Sequence, residues 1–453
     1  MGTVSNTTNQ IGASDPSQTH GLPAGLRFSV VQGWNFIFRP KQNYARLQRQ
    51  FGDFVTLYGT PAGNLVLALT PDAARQVLSA NPDEYGAVHK ESFTDLVGPG
   101  SFLVLEGAEH RAERKLLMPA FHPRNLNEFG REVRELTRTH TGGWRPGQQF
   151  SAYDVMLDIS RDVILRVVFG IADGPHLSEG RAVVSNILKS LNPLIALTPA
   201  FRKWWFPPWR RFQRIKRNSA DFLSRYMAER RAEGKESSDV LGILMTARHE
   251  DGTAASDDVI LGKLGTIVMA GHKNSAAALA WALYELAHAP SALNRLREEL
   301  DALGSDPDPE TIAKQPYLGA VCDEILRLHT THTEVARMCQ VPLYLSGYAV
   351  PKGASVGVGI CAIHQDPAIY PEPDKFQPER FLDKTFGPFE YLPYGGGHRR
   401  CIGASLAAFE IRIALAEIVS RWELESLNME RDARKNIVMG PKWGVPMRVI
   451  ARR

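Results

Sequence analysis

Cysteine is scarce in this chain of 453 residues, with only Cys322, Cys339, Cys361 and Cys401. Their separations of 17, 22 and 40 residues match neither the close pairs of a zinc site nor the dense framework of a disulfide-stabilised protein. The pattern suits a reducing compartment, so we predict a cytoplasmic protein. Each cysteine is by default a small buried apolar residue, and a special role for one of them needs further support.

Long hydrophobic runs are lacking too. The longest apolar stretches, 191–200 and 260–271, are interrupted by Asn192, Pro193 and Lys263, and both fall short of the roughly 20 apolar residues that a membrane span requires. The first twenty residues have neither the basic start nor the apolar stretch of a secretory signal. We therefore predict a flexible tail over 1–22 and no transmembrane anchor.

Charge of one sign is not in excess, since 53 Lys and Arg residues stand against 49 Asp and Glu. The net charge of +4 gives no support for nucleic-acid binding. No period of 20 to 50 residues repeats, which excludes solenoids and propellers. The phosphate-binding motifs G-x-x-x-x-G-K-[ST] and G-x-G-x-x-G are absent, so nucleotide binding is not expected.

The pattern of apolar residues predicts a mainly helical protein with a smaller β part. Alternation over 54–58 and 64–69 predicts a β-hairpin with a helix on either side. Helical periodicity dominates from Ala108 to about His329, and a final helix is predicted over 402–422. Extended runs are predicted at 341–345, 355–361 and 445–451, with a proline-rich loop over 367–393.

One predicted helix is unusually long. Ser256 and Asp257 can cap a periodic run that continues to His288, ahead of Pro290. A helix of about 32 residues extends for roughly 48 Å and must cross the whole molecule. Its middle is rich in glycine, alanine and serine, which would let a flat group approach the backbone closely.

The segment Pro393 to Gly403 holds the most informative pattern, three consecutive glycines followed by Cys401 just before a helix. Glycines allow the backbone to pass close to a large planar group, and a helix N-terminus stabilises a thiolate. That environment suits a sulfur ligand to iron. On these residues alone, a glycine loop with an ordinary buried cysteine remains the alternative.

The segment resembles the haem-binding signature of the cytochromes P450, F-x-x-G-x-R-x-C-x-G, with Tyr394 in place of the usual phenylalanine. Two further motifs of that family follow the expected order, the E-x-x-R pair Glu324 and Arg327 and the stretch 378–381 that contains Arg380. The resemblance runs from about Pro23 to the C-terminus. It implies one haem domain over 23–453 with the P450 fold and haem b between the long helix and the helix after Cys401.

The same resemblance implies roles for individual residues. Glu324, Arg327 and Arg380 would form a structural lock, and Cys401 would bind the haem iron. The cofactor-binding set would comprise His110, Arg114, Arg337, Tyr394, Arg399, Cys401 and Gly403, with His110, Arg114, Arg337 and Arg399 as partners of the haem propionates. No flavin motif is present, so electrons would come from a separate ferredoxin or flavodoxin with its reductase, docking near Arg399 and Arg400.

The long helix departs from the family pattern. At A-G-x-[Asp/Glu]-Thr the sequence has Ala270, Gly271, Lys273 and Asn274, so a cation replaces the acid and a carboxamide replaces the alcohol. In the family this acid and alcohol help to deliver protons during dioxygen activation. We place the catalytic residues of this chain at these four positions.

Four interpretations stay open. Asn274 can hold a water and preserve monooxygenation. Lys273 can bind a substrate carboxylate in a peroxide-driven peroxygenase. The enzyme can be a redox-neutral isomerase or dehydratase, or the protein can bind a ligand at a haem-thiolate centre without turnover. Lys273 can also turn away from the pocket or pair with an acid, which would leave it a purely structural residue.

The expected substrate is a lipophilic small molecule, because the predicted pocket walls are mostly apolar. These walls are 96–105, 186–206, 267–274 and 330–335, where His332 or Glu334 can contact a polar group of the substrate or merely cap the backbone. Three tryptophans between basic pairs over 202–211 indicate either weak membrane-surface contact or aromatic packing in the core.

Overall fold

The computed structural model describes residues 21–453 apart from 61–62, 89, 122–125, 191–194, 196–198, 235–238, 250–251 and 436–437. The predicted tail 1–22 therefore falls almost wholly outside the described residues, as does part of the predicted pocket wall 186–206.

The described part of the chain is mainly helical. Its helices are α1 Val30–Phe38, α2 Pro40–Phe51, α3 Pro71–Leu78, α4 Lys90–Val97, α5 Gly107–Leu117, α6 Leu126–Thr141, α7 Ala152–Val163, α8 Gly174–Ser190, α9 Pro207–Glu233, α10 Val240–Thr246, α11 Asp257–His288, α12 Pro290–Asp301, α13 Pro309–Ala313, α14 Pro316–Leu328, α15 Ile360–His364, α16 Arg380–Asp383 and α17 Ala404–Arg421. Within this part of the chain, no helix is both long enough and apolar enough to cross a bilayer.

The strands are β1 Gly25–Arg27, β2 Phe54–Thr60, β3 Gly63–Ala68, β4 Tyr85–Gly86, β5 Gln149–Ser151, β6 Val335–Cys339, β7 Leu343–Leu345, β8 Tyr348–Val350, β9 Ser355–Val358, β10 Trp422–Ser426, β11 Asp432–Lys435, β12 Val438–Pro441 and β13 Pro446–Arg452. The largest sheet has the order β1-β2-β3-β9-β6-β4. The predicted hairpin is confirmed as β2 and β3, which pair antiparallel between α2 and α3. The predicted strand 355–361 is too long, because β9 ends at Val358 and Ile360 begins a helix.

The long helix α11 is confirmed with the predicted bounds of 32 residues. The Ser256 side chain caps it by accepting a hydrogen bond from the amide of Val259 at 3.4 Å. Its small residues serve the fold as well, since a Cβ on Gly262 would lie 3.2 Å from the backbone of Gly100. Gly262 thus admits a neighbouring loop, and the approach of a flat group to the other small residues stays a prediction.

The main core surrounds the second half of α11. This half packs against α7, α14 and α17, and Trp281 at its centre is almost fully buried. The predicted final helix is slightly shorter than expected, because α17 begins at Ala404, three residues after Cys401. The packing of α11 on α17 brings the middle of the long helix and the cysteine loop into one region of the molecule.

Candidate active site

The loop 393–403 turns tightly before α17. Gly395 and Gly397 both have φ of +66°, and the amide of Cys401 donates to the carbonyl oxygen of Tyr394 at 2.9 Å. A Cβ on Gly397 would lie 2.2 Å from the carbonyl oxygen of Leu78, so no other residue fits there without a backbone shift. This glycine is required by packing against the end of α3, a contact that the motif does not reveal.

Cys401 differs from the other three cysteines in accessibility. It is exposed, whereas Cys322, Cys339 and Cys361 are buried, and burial raises the pKa of each of those three thiols to about 12. Although the Cys401 side chain reaches the surface, the protein atoms around it desolvate the thiol and raise its pKa, whereas the Gly403 amide, Arg400 and Arg114 act in the opposite direction and favour its thiolate. Cys401 is thus the cysteine placed to act as an anionic ligand.

A group of cationic and imidazole side chains lies beside the loop. Arg337, on β6, donates to the carbonyl oxygen of Gly396 at 2.9 Å, and Arg399 donates to the carbonyl oxygen of Leu105. Burial, with help from Arg399 and His398, lowers the pKa of His110 to about 4. Burial also lowers the pKa of Arg337 to about 10.

This group lacks the acidic partners that buried cations normally have. Among the described residues, neither Arg337 nor Arg399 forms an ion pair, and Nε of Arg399 has no hydrogen-bond partner although it is buried. The Glu106 carboxylate favours the charged form of Arg399 without pairing with it, and a desolvated cluster of donors without a directly paired carboxylate is suited to an anion. His110, Arg337 and Arg399 therefore lie together and fit a group that carries carboxylates, and their binding of the haem propionates stays a prediction.

Arg114 occupies a somewhat different position from the other predicted propionate partners. It is half-buried on α5, and the Cys401 sulfur is the charged neighbour that most favours its protonated form, against the effect of burial. Its charge therefore interacts with a Cys401 thiolate, and its role as a propionate partner stays a prediction. Sequence analysis missed His398, whose ring centroid lies 6.2 Å from that of His110. The only signal for it was its place beside Arg399.

Tyr394 opens the loop where the family signature has phenylalanine. Burial raises the pKa of its phenol, and its hydroxyl has no hydrogen-bond partner within the described part of the chain. The guanidinium carbon of Arg400 lies 5.9 Å from the centroid of its ring. The charges of Asp323 and Cys401 both act on this hydroxyl, which is a buried polar group that a phenylalanine at this position could not provide.

The predicted lock of Glu324, Arg327 and Arg380 is present. Arg327 binds the Glu324 carboxylate through Nε at 2.7 Å and Nη2 at 2.9 Å, and Arg380 donates to the same carboxylate at 3.1 Å. Glu324 and Arg327 are fully buried. The lock also holds the loop before the cysteine segment, because Arg327 donates to the carbonyl oxygen of His364 and Glu324 accepts from the amide of Gln377.

The middle of α11 contains Lys273 and Asn274, the two residues that depart from the family pattern. Asn274 donates from Nδ2 to the carbonyl oxygen of Ala270 at 2.8 Å, while its buried Oδ1 has no partner among the described residues. The side chain therefore presents an unpartnered acceptor, which can hold the water expected at this position. Gly271 has room, since a Cβ there would meet only Ile164, at 3.7 Å.

Lys273 is half-buried, and burial lowers the pKa of its ammonium group, with a further contribution from Lys435 on β11. The described residues provide no acid that pairs with it. The predicted structural alternative, pairing with a nearby carboxylate, is thus not observed in this part of the chain. The charge of Lys435 disfavours a charged Lys273, and a bound anion would offset this effect.

Comparison with known proteins decides the family. The sequence model of the cytochrome P450 family matches residues 26–445. The chain belongs to the cytochrome P450 family. Cytochrome P450 138 of Mycobacterium tuberculosis is 31% identical over 439 residues, which cover 95% of this chain and 96% of that protein. Cytochrome P450 135B1 of Mycobacterium bovis is 32% identical over 440 residues, covering 96% and 92%.

Solved P450 structures have the same fold. Retinoic acid bound cyanobacterial CYP120A1 superposes with a TM-score of 0.83 at 23% identity, covering 96% of this chain and all of that one. The haem domain of cytochrome P450DA superposes with a TM-score of 0.84, also at 23% identity, covering 96% and 98%. Both likenesses establish the P450 fold and nothing about the substrate.

As a cytochrome P450, this protein is a haem-dependent oxidoreductase whose cofactor is iron protoporphyrin IX. The residues present fit that cofactor. The exposed Cys401 offers a sulfur ligand, and Arg337 and Arg399, which have no ion pair among the described residues, offer counter-charges for propionates. His110, whose pKa is lowered to about 4, is neutral at pH 7 and offers a hydrogen-bond donor. These assignments follow from the donor set and remain predictions for each residue.

Another group of polar residues escaped sequence analysis. Glu410 on α17 is buried beside Ser275 of α11 and Ser160 of α7, and its Oε1 has no partner within the described residues. Burial raises the pKa of its carboxyl group to about 7, although the two hydroxyls act to lower it. Ser275 directly follows Asn274 in α11, so this buried protonatable group lies beside the helix segment that contains the altered pair. No local motif marks it, because the three residues come from three helices.

The polar residues predicted at the substrate side have protein partners. Glu334 accepts a hydrogen bond from the hydroxyl of Tyr44 at 2.8 Å, and His332 contacts the hydroxyl of Thr331. These contacts favour the structural alternative for 330–335. In the stretch 202–211, Trp209 stacks on Phe212, with ring centroids 5.6 Å apart, whereas Trp204 and Trp205 are exposed.

Proposed function

We propose that this cytochrome P450 is a monooxygenase that hydroxylates or epoxidises a lipophilic small molecule such as a terpenoid, steroid, fatty acid or polyketide. One observation carries the proposal: the accessible Cys401 at the start of α17, beside buried cations that lack acids. The bound haem supplies dioxygen activation. The net reaction consumes dioxygen, two electrons and two protons. One oxygen atom enters the substrate and the other leaves as water.

The protein must then deliver protons without the usual acid and alcohol. In this proposal the Oδ1 of Asn274 accepts a hydrogen bond from a water molecule. That water receives a proton from a nearby donor and transfers it to the oxygen site. Glu410 with Ser275 is the source that we propose, because a carboxyl group with a pKa of about 7 both holds and releases a proton at neutral pH. Lys273 is an additional donor whose pKa is already lowered.

A second candidate is favoured by Lys273 itself. A half-buried ammonium group that lacks an acidic partner among the described residues is suited to hold the carboxylate of a fatty acid. In that case peroxide replaces dioxygen and the electron donor, and the enzyme is a peroxygenase. No specific contact favours the isomerase, the dehydratase or the non-catalytic ligand-binding protein.

For the electron supply we propose a separate ferredoxin or flavodoxin with its reductase. Arg400 is exposed beside Cys401, and basic groups at this face suit an acidic donor protein. We further propose one haem domain over 23–453. A cytoplasmic location is supported by the four cysteines, none of which forms a disulfide.

Oxygen labelling tests the function. The purified holoprotein is incubated with a panel of terpenoids, steroids and fatty acids, with labelled dioxygen and a ferredoxin system, or with labelled peroxide alone. Label from dioxygen that appears only with the electron donor supports the monooxygenase. Label from peroxide without any donor supports the peroxygenase, and unlabelled product without either oxidant overturns both.

A further inference from the structure

The helix α1 exposes an apolar face that a water-facing helix would normally bury. None of its residues is buried. Five large apolar side chains are exposed, at Val30 (89%), Val31 (67%), Trp34 (58%), Ile37 (37%) and Phe38 (54%). At about 100° per residue these five positions fall within roughly 120° of the helix circumference. They form one continuous face, called here the α1 apolar face.

The orientation of α1 is fixed by contacts on its opposite side. Gln32 accepts a hydrogen bond from Arg46 of α2 at 3.3 Å, and the ring of Phe36 packs edge-on against Tyr44 at 5.4 Å between centroids. Arg434 of β11 donates to the carbonyl oxygen of Phe36 at 3.3 Å. The helix is therefore held with a mixed polar side inward and the α1 apolar face outward, the reverse of an ordinary surface helix.

The charged residues in the segment around the α1 apolar face are all basic. Residues 21–52 contain no Asp or Glu, but they contain five cations, Arg27, Arg39, Lys41, Arg46 and Arg49. Arg27 and Arg39 are exposed at the two ends of α1, and neither forms an ion pair within the described residues. Lys41, by contrast, is neutralised by Asp432 at 2.9 Å. An exposed apolar face between two uncompensated cations is complementary to an anionic apolar surface.

We infer that α1 docks the protein on anionic lipid bilayers as an interfacial helix. Lying in the membrane plane, it would immerse the α1 apolar face and leave Arg27 and Arg39 at the phosphate level. Trp34 has the amphipathic ring that favours this depth. This attachment is peripheral, needs no spanning helix, and does not depend on the proposed reaction.

Vesicle flotation of the full-length holoprotein tests the inference, with vesicles of pure phosphatidylglycerol and of pure phosphatidylcholine. We expect flotation with phosphatidylglycerol, weakened at high salt, and at least tenfold weaker flotation with phosphatidylcholine. Trp34→Glu should reduce binding to phosphatidylglycerol more than tenfold, Trp34→Phe should retain it, and the double variant Arg27→Ser, Arg39→Ser should lose the preference for anionic lipid.

Tyr344→Glu is the matched control, because Tyr344 is 63% exposed on β7, away from α1. It should bind vesicles like the wild type, and all variants should keep the carbon monoxide spectrum of the wild type. Failure of the wild type to float with phosphatidylglycerol would overturn the inference, as would unchanged flotation of Trp34→Glu. A wild-type dimer that Trp34→Glu converts to a monomer, without any flotation, would instead assign the face to a second copy of the chain.

Discussion

The cysteine loop and the middle of α11 lie in one region but differ in how closely they follow the P450 pattern. In the loop, Gly397, Arg399, Cys401 and Gly403 all match the family signature, and Tyr394 is its one exception. In α11, both positions that normally handle protons are changed, to Lys273 and Asn274. The loop predicted to bind the cofactor therefore keeps the family pattern. The segment of α11 predicted to deliver protons departs from it.

This difference separates two questions about the enzyme. We expect binding of haem to depend on the Cys401 sulfur, on Arg337 and Arg399, and on the buried lock of Glu324, Arg327 and Arg380. The choice of oxidant and substrate depends on which groups exchange protons or hold charge on the other side. There the structure offers a lysine and an amide oxygen that lack partners among the described residues, with a buried carboxyl group beside the following Ser275. Variants of each part should change different observables.

The largest expected effect is at Cys401. Cys401→Ser removes the thiolate, so the reduced carbon monoxide complex should lose the red-shifted Soret band of a thiolate ligand. Serine at Cys322, Cys339 or Cys361 should leave the band in place, because these thiols are buried and their pKa values are about 12. A Cys401→Ser protein that kept the band would break the assignment.

Glu324→Ala should have the next largest effect. It leaves the buried guanidinium of Arg327 without its carboxylate, and loss of one partner from a buried ion pair costs about 3–5 kcal/mol. We expect little haem incorporation and a much lower unfolding temperature. The control is Glu310→Ala, which removes an exposed ion pair to Lys314 and should be nearly neutral. A Glu324→Ala protein that is haem-loaded and thermally unchanged would contradict the lock.

Sequence analysis was most successful where a local signal decides the structure. The cap at Ser256 and the proline at position 290 set the bounds of α11, and the spacing of Glu324 and Arg327 indicated the lock. It failed where segments distant in sequence meet. The contact of Gly397 with Leu78, the unpaired Oδ1 of Asn274 and the packing of three helices around Glu410 all depend on tertiary structure, so no spacing in the sequence reveals them.

Glu410→Gln should reveal the buried carboxyl group through pH. Because the folded-state pKa of Glu410 is raised to about 7, the folded protein binds this proton more tightly than the unfolded one, whose ordinary value is 4.5. The contribution is therefore favourable at low pH and is lost as pH rises from about 4.5 through about 7.

The Gln variant should lack this pH dependence and be more stable than the wild type near neutral pH by about 1–3 kcal/mol, measured by denaturant unfolding at several pH values. If Glu410 also supplies protons, the Gln variant should release more peroxide per electron consumed. Parallel pH profiles of unfolding for wild type and variant would show that this carboxyl group titrates normally.

The smallest and most specific effect is expected at Lys273, and it decides what kind of enzyme this P450 is. If its ammonium group holds a substrate carboxylate, Lys273→Ala should weaken binding of a fatty acid about tenfold, which corresponds to roughly 1.4 kcal/mol, and leave binding of the methyl ester unchanged. Spectral titration of the haem band measures the affinity for both ligands.

Lys435→Ala should have a smaller effect on acid binding, because that ammonium group already donates to the carbonyl oxygen of Lys442 at 3.0 Å. Lys314→Ala, at an exposed ion pair, serves as the control and should change neither affinity. Equal weakening of acid and ester in Lys273→Ala would indicate a change of pocket shape instead. Retained acid binding would leave Lys273 as a proton donor and favour the monooxygenase.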